Sequence, residues 1–133
     1  MNREDKTFDG GMFATPLLGG GNCPDMLFPN FVINDPAGRG EFVALNKHTG
    51  EIVYRVPLKR YAWSSPVAIY NRENEMFVFT ADTDGHVYII EGKTGKVVLT
   101  QKTGNNFESS PVITGNKIVI GSRGREIYKL SIE

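Results

Sequence analysis

Short apolar runs alternate with polar turns along nearly the whole of this chain. In the middle of the sequence apolar residues dominate 67–70, 76–80, 86–90 and 96–100, and clusters rich in Asn, Asp, Thr and Gly separate them. Runs of this length bounded by turn residues are typical of strands. No window of a dozen residues repeats apolar positions at the spacing of a helix without an intervening Gly or Pro. The pattern therefore predicts an almost wholly β structure.

Eleven strands follow from this pattern, with boundaries good to about 2–4 residues. They are expected near residues 14–18, 27–33, 41–46, 51–56, 66–70, 76–81, 86–91, 96–101, 110–114, 117–121 and 126–131.

The same anchors recur along the chain at a nearly constant distance. Pro66 and Pro111 are 45 residues apart, and Pro16 precedes Pro66 by 50. The Thr-Gly turns at 49–50 and 94–95 repeat the spacing of 45. A period near 40–50 residues, with four short strands in each unit, indicates β-propeller blades. We predict an all-β fold of about three blades of four antiparallel strands, at about 13–57, 58–103 and 104–133, with the third blade lacking its last strand.

Three blades make an incomplete ring, because propellers bury their blade faces by closing with four to eight. One explanation is that the chain is the C-terminal part of a larger propeller. The other is a homodimer, in which residues 1–12 serve as a closing strand. Glu4–Phe8 precedes Pro16 by about the same distance as the last strand of one blade precedes the Pro of the next. Two chains could then bury the open faces.

Composition and charge exclude several classes of partner. Lys and Arg number 15, as do Asp and Glu, so no basic surplus is present to bind nucleic acid. The apolar runs are too short to span a bilayer, and no membrane insertion is expected. Cys23 is the single cysteine, which excludes an internal disulfide, and we interpret it as a packed thiol. No signal-peptide pattern is present, and the compartment stays unknown.

The segment Gly40–Tyr54 resembles the repeat of the pyrroloquinoline-quinone-like propellers: a Gly, apolar residues, Ala-Leu-Asp, Thr-Gly and a Trp, followed by a Ser-Ser-Pro strand start. Residues 85–99 form a second copy. The docking Trp of the family corresponds to Tyr54 and Leu99 here, and its Asp to Asn46 and Glu91. The resemblance implies the propeller fold, and a parent family that is often extracytoplasmic.

Two functions fit that resemblance, because one repeat serves several activities. The first is a non-catalytic binding or scaffold module for a protein or small ligand. The alternative is part of a quinone-dependent dehydrogenase, which would need an aromatic cage, calcium ligands and a carboxylate base. We expect no catalytic residues, no metal site and no cofactor, and no activity from this chain alone.

Candidate binding residues are Trp63, which could face a central channel, and Arg123 and Arg125 of a basic cluster. Three loops, 22–25, 35–39 and 71–75, are expected to share one face on which a ligand would bind.

Other polar residues have structural interpretations. Residues 82–85 are predicted to form a hairpin turn whose carboxylates accept local N–H groups. His48 and His86 are predicted to be exposed. The repeated serines 64, 65, 109 and 110 are expected to bond backbone groups near the propeller axis.

Overall fold

The computed structural model describes residues 10–12, 14–33, 36–104, 106–107, 109–114, 117–122 and 126–131. Over these ranges the chain forms thirteen strands and no helix. The strands are β1 (Gly10–Gly11), β2 (Leu17–Leu18), β3 (Met26–Phe28), β4 (Asn30–Ile33), β5 (Gly40–Asn46), β6 (Ile52–Leu58), β7 (Val67–Tyr70), β8 (Met76–Ala81), β9 (His86–Glu91), β10 (Val97–Lys102), β11 (Val112–Thr114), β12 (Lys117–Gly121) and β13 (Ile127–Ser131). No helix in the described ranges is therefore long and apolar enough to cross a membrane.

Blade 1, which comprises β1 to β6, is a four-stranded antiparallel meander with two interrupted strands. β3 and β4 both pair with β5, and β1 and β2 pair with β4 and β3. The interruption between β3 and β4 falls at Pro29, which has no N–H to give to a ladder. The strand expected near 27–33 is therefore divided, and the one expected near 14–18 is reduced to Leu17–Leu18.

Blade 2 comprises β7 to β10 in simple sequence order, and blade 3 comprises β11 to β13. Every neighbouring pair is antiparallel. The other predicted strands lie within two residues of their observed bounds, and the all-β propeller prediction is confirmed. Residues 4–8, proposed as a closing strand, lie outside the described residues.

Two apolar clusters fill the spaces between the blades. The first joins blades 1 and 2 and contains the stacked rings of Phe28 and Phe42, whose centroids are 5.7 Å apart. The second joins blades 2 and 3 around Phe79 and Phe107. Each blade thus presents one face of its sheet to the next, which explains the weak in-and-out alternation of the sequence.

Successive turns of a meander lie at opposite ends of the sheet. The loops 36–39, 59–66 and 82–85, with the described residues of 103–111 and with Ser122 and Glu126, therefore lie at one end. The loops 19–25, 47–51, 71–75 and 92–96 lie at the other. Two of the turn glycines have a left-handed backbone, with φ of 89° at Gly85 and 81° at Gly95.

Candidate functional site

The turn between β8 and β9 is built on the carboxylate of Asp82, whose side chain is fully buried. Asp82 Oδ1 accepts the backbone N–H of Asp84 at 3.0 Å and of His86 at 2.9 Å. These local bonds confirm the hairpin interpretation of 82–85. Among the described residues no group of three His, Cys, Asp or Glu side chains could hold a metal ion.

His86 is buried, so the prediction of an exposed side chain is wrong. Its Nδ1 lies 3.0 Å from Asp82 Oδ2, and it is only 7% exposed. Tyr88 donates its hydroxyl to the same Asp82 oxygen at 2.9 Å and accepts the N–H of Lys59 at 3.1 Å. Burial is the main cause that raises the pKa of Tyr88. The network therefore fixes the start of the 59–66 loop to blade 2. His48 is exposed as expected and contacts Asp25 at 3.1 Å.

Two further backbone hydrogen bonds hold the 59–66 loop against the loops 36–39 and 82–85. Tyr61 donates its N–H to Gly38 O, and the N–H of Thr83 bonds to Tyr61 O, both at 3.0 Å. The 59–66 loop passes very close to the start of β5. A Cβ at Gly40 would lie 2.6 Å from Tyr61 Cα, so position 40 requires glycine. The loop is thus tied to both neighbouring turns.

This anchored loop presents an aromatic pair. The rings of Tyr61 and Trp63 are 6.0 Å apart and tilted by 35°, and Trp63 is 43% exposed. The exposed side chains of Lys59 and Arg60 belong to this loop, and that of Arg39 belongs to the neighbouring loop 36–39. We call the residues 36–39, 59–63 and 82–85 the Trp63 face. It combines an apolar platform with positive charge.

The other two predicted binding residues, Arg123 and Arg125, lie outside the described residues. The positions that flank them are described: Ser122 donates its N–H to Glu126 O at 2.8 Å. These flanking residues lie at the same end of the sheets as Trp63.

The three loops expected to share one face do not do so. Met76 N donates to Asn22 Oδ1 at 2.9 Å, which joins the loops 22–25 and 71–75 at one end. The residues 36–39 lie at the opposite end, bonded to Tyr61. The prediction is therefore wrong for the loop 36–39. One strand of the sheet, interrupted into β3 and β4, runs between the 22–25 turn and this loop, so the two lie at opposite ends of the sheet.

A ladder of hydroxyl groups links the starts of the blades. The N–H of Thr15 donates to Ser65 Oγ, and the N–H of Ser65 donates to Ser110 Oγ, each at 3.1 Å. The bonds span 50 and 45 residues, which are the spacings of the repeat. The expected bonding of backbone groups by the serine hydroxyls is confirmed for Ser65, Ser109 and Ser110 but not for Ser64.

A buried polar cluster between blades 1 and 2 was not predicted. Asn30 Nδ2 donates to Thr80 Oγ1 at 2.9 Å, while Asn30 Oδ1 and Ser64 Oγ have no partner among the described residues. In blade 3 the matching hydroxyl, Ser109 Oγ, bonds both backbone groups of Gly121. A Cβ at Gly121 would lie 3.2 Å from that oxygen. Blade 2 has Ala81 at the position that corresponds to Gly121.

Cys23 lies at the other end of the first interface and is 4% exposed. Its thiol is 3.5 Å from Met76 Sδ, and burial raises the pKa of the Cys23 thiol. A buried neutral thiol is a poor nucleophile, so the packing interpretation holds.

Comparison with known proteins places these features in a family. The sequence model of the family described as outer membrane protein assembly factor BamB matches residues 38–133. BamB from Moraxella catarrhalis has a TM-score of 0.65 at 16% identity, over 90% of this chain and 33% of that one. The WD40 propeller domain of Doa1 gives 0.62 at 15% identity, over 83% and 34%. At these identities the two structures show the fold alone.

Among curated proteins, the human β-alanine-activating enzyme is 29% identical over 85 residues, which are 62% of this chain and 8% of that protein. The chain spans under a tenth of the length of the curated relatives it matches.

Proposed function

We propose that this chain, which belongs to the family of pyrroloquinoline-quinone-like β-propeller repeats, is a non-catalytic binding module that recognises its ligand at the Trp63 face. Propellers of one repeat family support different functions, so the proposal depends on the site rather than on the fold.

The observation that carries the proposal is the exposure of Trp63 on a loop that is held rigid. Trp63 is the only tryptophan of the chain and is 43% exposed. Its loop is fixed by the bond from the Lys59 N–H to the Tyr88 hydroxyl of β9, and by the bonds of Tyr61 to the neighbouring turns. Rigid exposed aromatic side chains lose little entropy on binding, and they are enriched in recognition surfaces.

The charges of the face suggest the class of ligand. The exposed side chains of Arg39, Lys59 and Arg60 are positive, and the nearby carboxylate of Asp84 faces Lys102 at 3.5 Å. A ligand with acidic groups next to apolar ones would complement this arrangement. An acidic peptide segment has both.

The name of the curated relatives refers to an activation of β-alanine, and this chain matches 8% of the human protein. We do not assign that activity to the blades. In our proposal the blades act beside a catalytic region by binding, as loops on a rigid scaffold commonly do.

The proposal can be tested by NMR, because the indole N–H of Trp63 gives a unique signal. A peptide of alternating Glu and Leu and its Gln counterpart would be titrated into the labelled chain. We expect shifts at the indole and at 36–39 and 59–63, and weaker binding of the Gln peptide.

The matched variants are Trp63→Ala and Tyr70→Ala, since Tyr70 is 46% exposed at the opposite end of blade 2. Binding should be lost in the first and kept in the second. Shifts that cluster around 71–75, or binding that survives Trp63→Ala, would contradict the proposal.

A further inference from the structure

The hydroxyl ladder has two complementary ends. In each internal step the N–H of one blade donates to the hydroxyl of the next, from Thr15 to Ser65 and from Ser65 to Ser110. At one end the N–H of Ser110 has no acceptor among the described residues, and at the other the hydroxyl of Thr15 has no donor there. Both residues are exposed. A donor and an acceptor of the same ladder are therefore open.

The outward face of blade 3 repeats the apolar pattern of an internal interface. Blade 2 packs Val67, Phe79 and Val87 against blade 3. In blade 2, Val67 pairs with Phe79 and Ala81 pairs with Val87. At the corresponding positions of blade 3, Val112 pairs with Val119 and Gly121 pairs with Ile127. Val112 is 63% exposed and Ile127 is 78% exposed. The face thus has the residues of an interface and no neighbour among the described residues.

The opposite face of blade 1 carries a matching apolar residue. In blade 3 the residue that follows Val112, Ile113, packs into the second cluster. The corresponding residue of blade 1, Leu18, is 65% exposed. The open end of blade 1 therefore offers both a hydroxyl, from Thr15, and an apolar side chain at the places where blade 3 offers them to blade 2.

We propose that a second copy of this chain packs its blade 1 against the outward face of blade 3, so that two copies form a closed six-bladed ring. The Ser110 N–H of each copy donates to the Thr15 hydroxyl of the other. A two-fold axis gives two identical contacts of this kind and covers both of the faces described above, whereas a contact that does not close would produce filaments.

The new interface is less apolar than the internal ones. Lys117 and Lys129 take the places of Phe77 and Ile89 at the far half of the face. We therefore expect a dimer that dissociates on dilution rather than an obligate one.

Light scattering of the intact chain between one and several hundred micromolar tests the proposal. The matched variants are Ile127→Glu, on the outward face, and Val98→Glu, a valine 46% exposed on β10. The parent chain and Val98→Glu should show the mass of two chains at high concentration, and Ile127→Glu the mass of one, with circular dichroism unchanged.

A second measurement does not depend on the folding of Ile127→Glu. Thr15→Cys and Ser110→Cys, combined with Cys23→Ala, would be oxidised. The proposal expects covalent dimers, with two disulfides per pair of chains.

A parent chain that stays monomeric, or that gives cross-linked ladders beyond the dimer, would overturn the proposal. A monomer would leave further blades of a longer polypeptide as the occupant of the face. Peptide binding at the Trp63 face is measured separately and does not depend on this result.

Discussion

The two internal interfaces of the chain are built from the same repeat, yet only the first extends to the outer strands. Between blades 1 and 2, Tyr54 of β6 packs on the 92–95 turn, where a Cβ at Gly95 would lie 2.6 Å from its ring, and its hydroxyl donates to Gly92 O at 2.7 Å. Between blades 2 and 3, the corresponding Leu99 is 44% exposed, and all six residues of β10 are exposed.

The difference shows which part of the repeat closes an interface. The inner strands pack in both places, around Phe42 in one cluster and Phe79 in the other. The outer strand has buried residues, Val56 and Leu58, only in the first interface, where an aromatic side chain meets the Thr-Gly turn of the next blade. The described part of blade 3 reaches Ser131 and contains no such turn. The blades therefore behave as units whose stability depends on nearest-neighbour contacts.

Removing the centre of the first interface should have the largest effect. Phe42 is fully buried and stacked on Phe28, so Phe42→Ala should lower the free energy of unfolding by about 3–5 kcal/mol. Urea denaturation would measure the loss. The matched variant is Phe107→Ala in the second interface. We expect its hydrogen exchange to increase in β11–β13 and much less in β3–β6. Equal loosening of both regions would contradict the nearest-neighbour view.

Asp82 should come next, because its carboxylate accepts four buried or half-buried donors. Asp82→Ala leaves the Tyr88 hydroxyl, the His86 ring and two N–H groups without this acceptor, and each orphaned donor costs about 1–3 kcal/mol before relaxation. We expect a loss of about 3 kcal/mol in urea denaturation. The corresponding residue of blade 3, Ser122, makes one side-chain bond at 3.2 Å, and Ser122→Ala should cost about 0.5–1 kcal/mol. If Asp82→Ala and Ser122→Ala lowered the free energy of unfolding by similar amounts, the proposed difference between the two interfaces would be refuted.

Tyr54→Phe should have a smaller effect that depends on pH. Loss of the bond to Gly92 O should cost about 1 kcal/mol near pH 7. Burial raises the pKa of Tyr54 above its ordinary value of 10.0, so the folded state holds this proton longer than the unfolded state. The stabilisation is present below pH 10 and decreases as the pH rises further. Urea denaturation at pH 7, 10 and 11 should show the gap between parent and variant narrowing. A gap that widens would contradict the sign.

Much of the fold could be predicted from the sequence because strands, turns and repeat spacing are local features. The strand at 76–81 and the left-handed Gly95 follow from a few neighbouring residues. The burial of His86 does not, since it depends on its bond to Asp82 and on the packing of blade 1 over that turn. The buried hydrogen bond of Asn30 could not be predicted either, because Asn30 lies within an apolar run and its partner Thr80 is 50 residues away.

The candidate site could be predicted only in part. Trp63 stood out as the single tryptophan, but its ring neighbour Tyr61 is held by Gly38, which belongs to another loop that meets this one only in the folded chain. The separation of the loops 22–25 and 36–39 was readable in principle. One predicted strand lies between them, and the parity of strands fixes the end at which each loop emerges.

The smallest effect on the free energy of unfolding should be that of Leu99→Ala, which tests the difference between the two interfaces most directly. Leu99 matches Tyr54 in the repeat, yet it is 44% exposed and lies opposite no turn of the described blade 3. A substitution at an exposed position without such contacts changes stability by about 0.5 kcal/mol or less. Tyr54→Ala, in contrast, removes a packed ring and should cost about 3 kcal/mol. Urea denaturation of both variants, at a concentration where the chain is monomeric, compares the two losses in the free energy of unfolding. A loss of more than about 1 kcal/mol for Leu99→Ala would mean that β10 is covered in solution, and that both interfaces close at the outer strand.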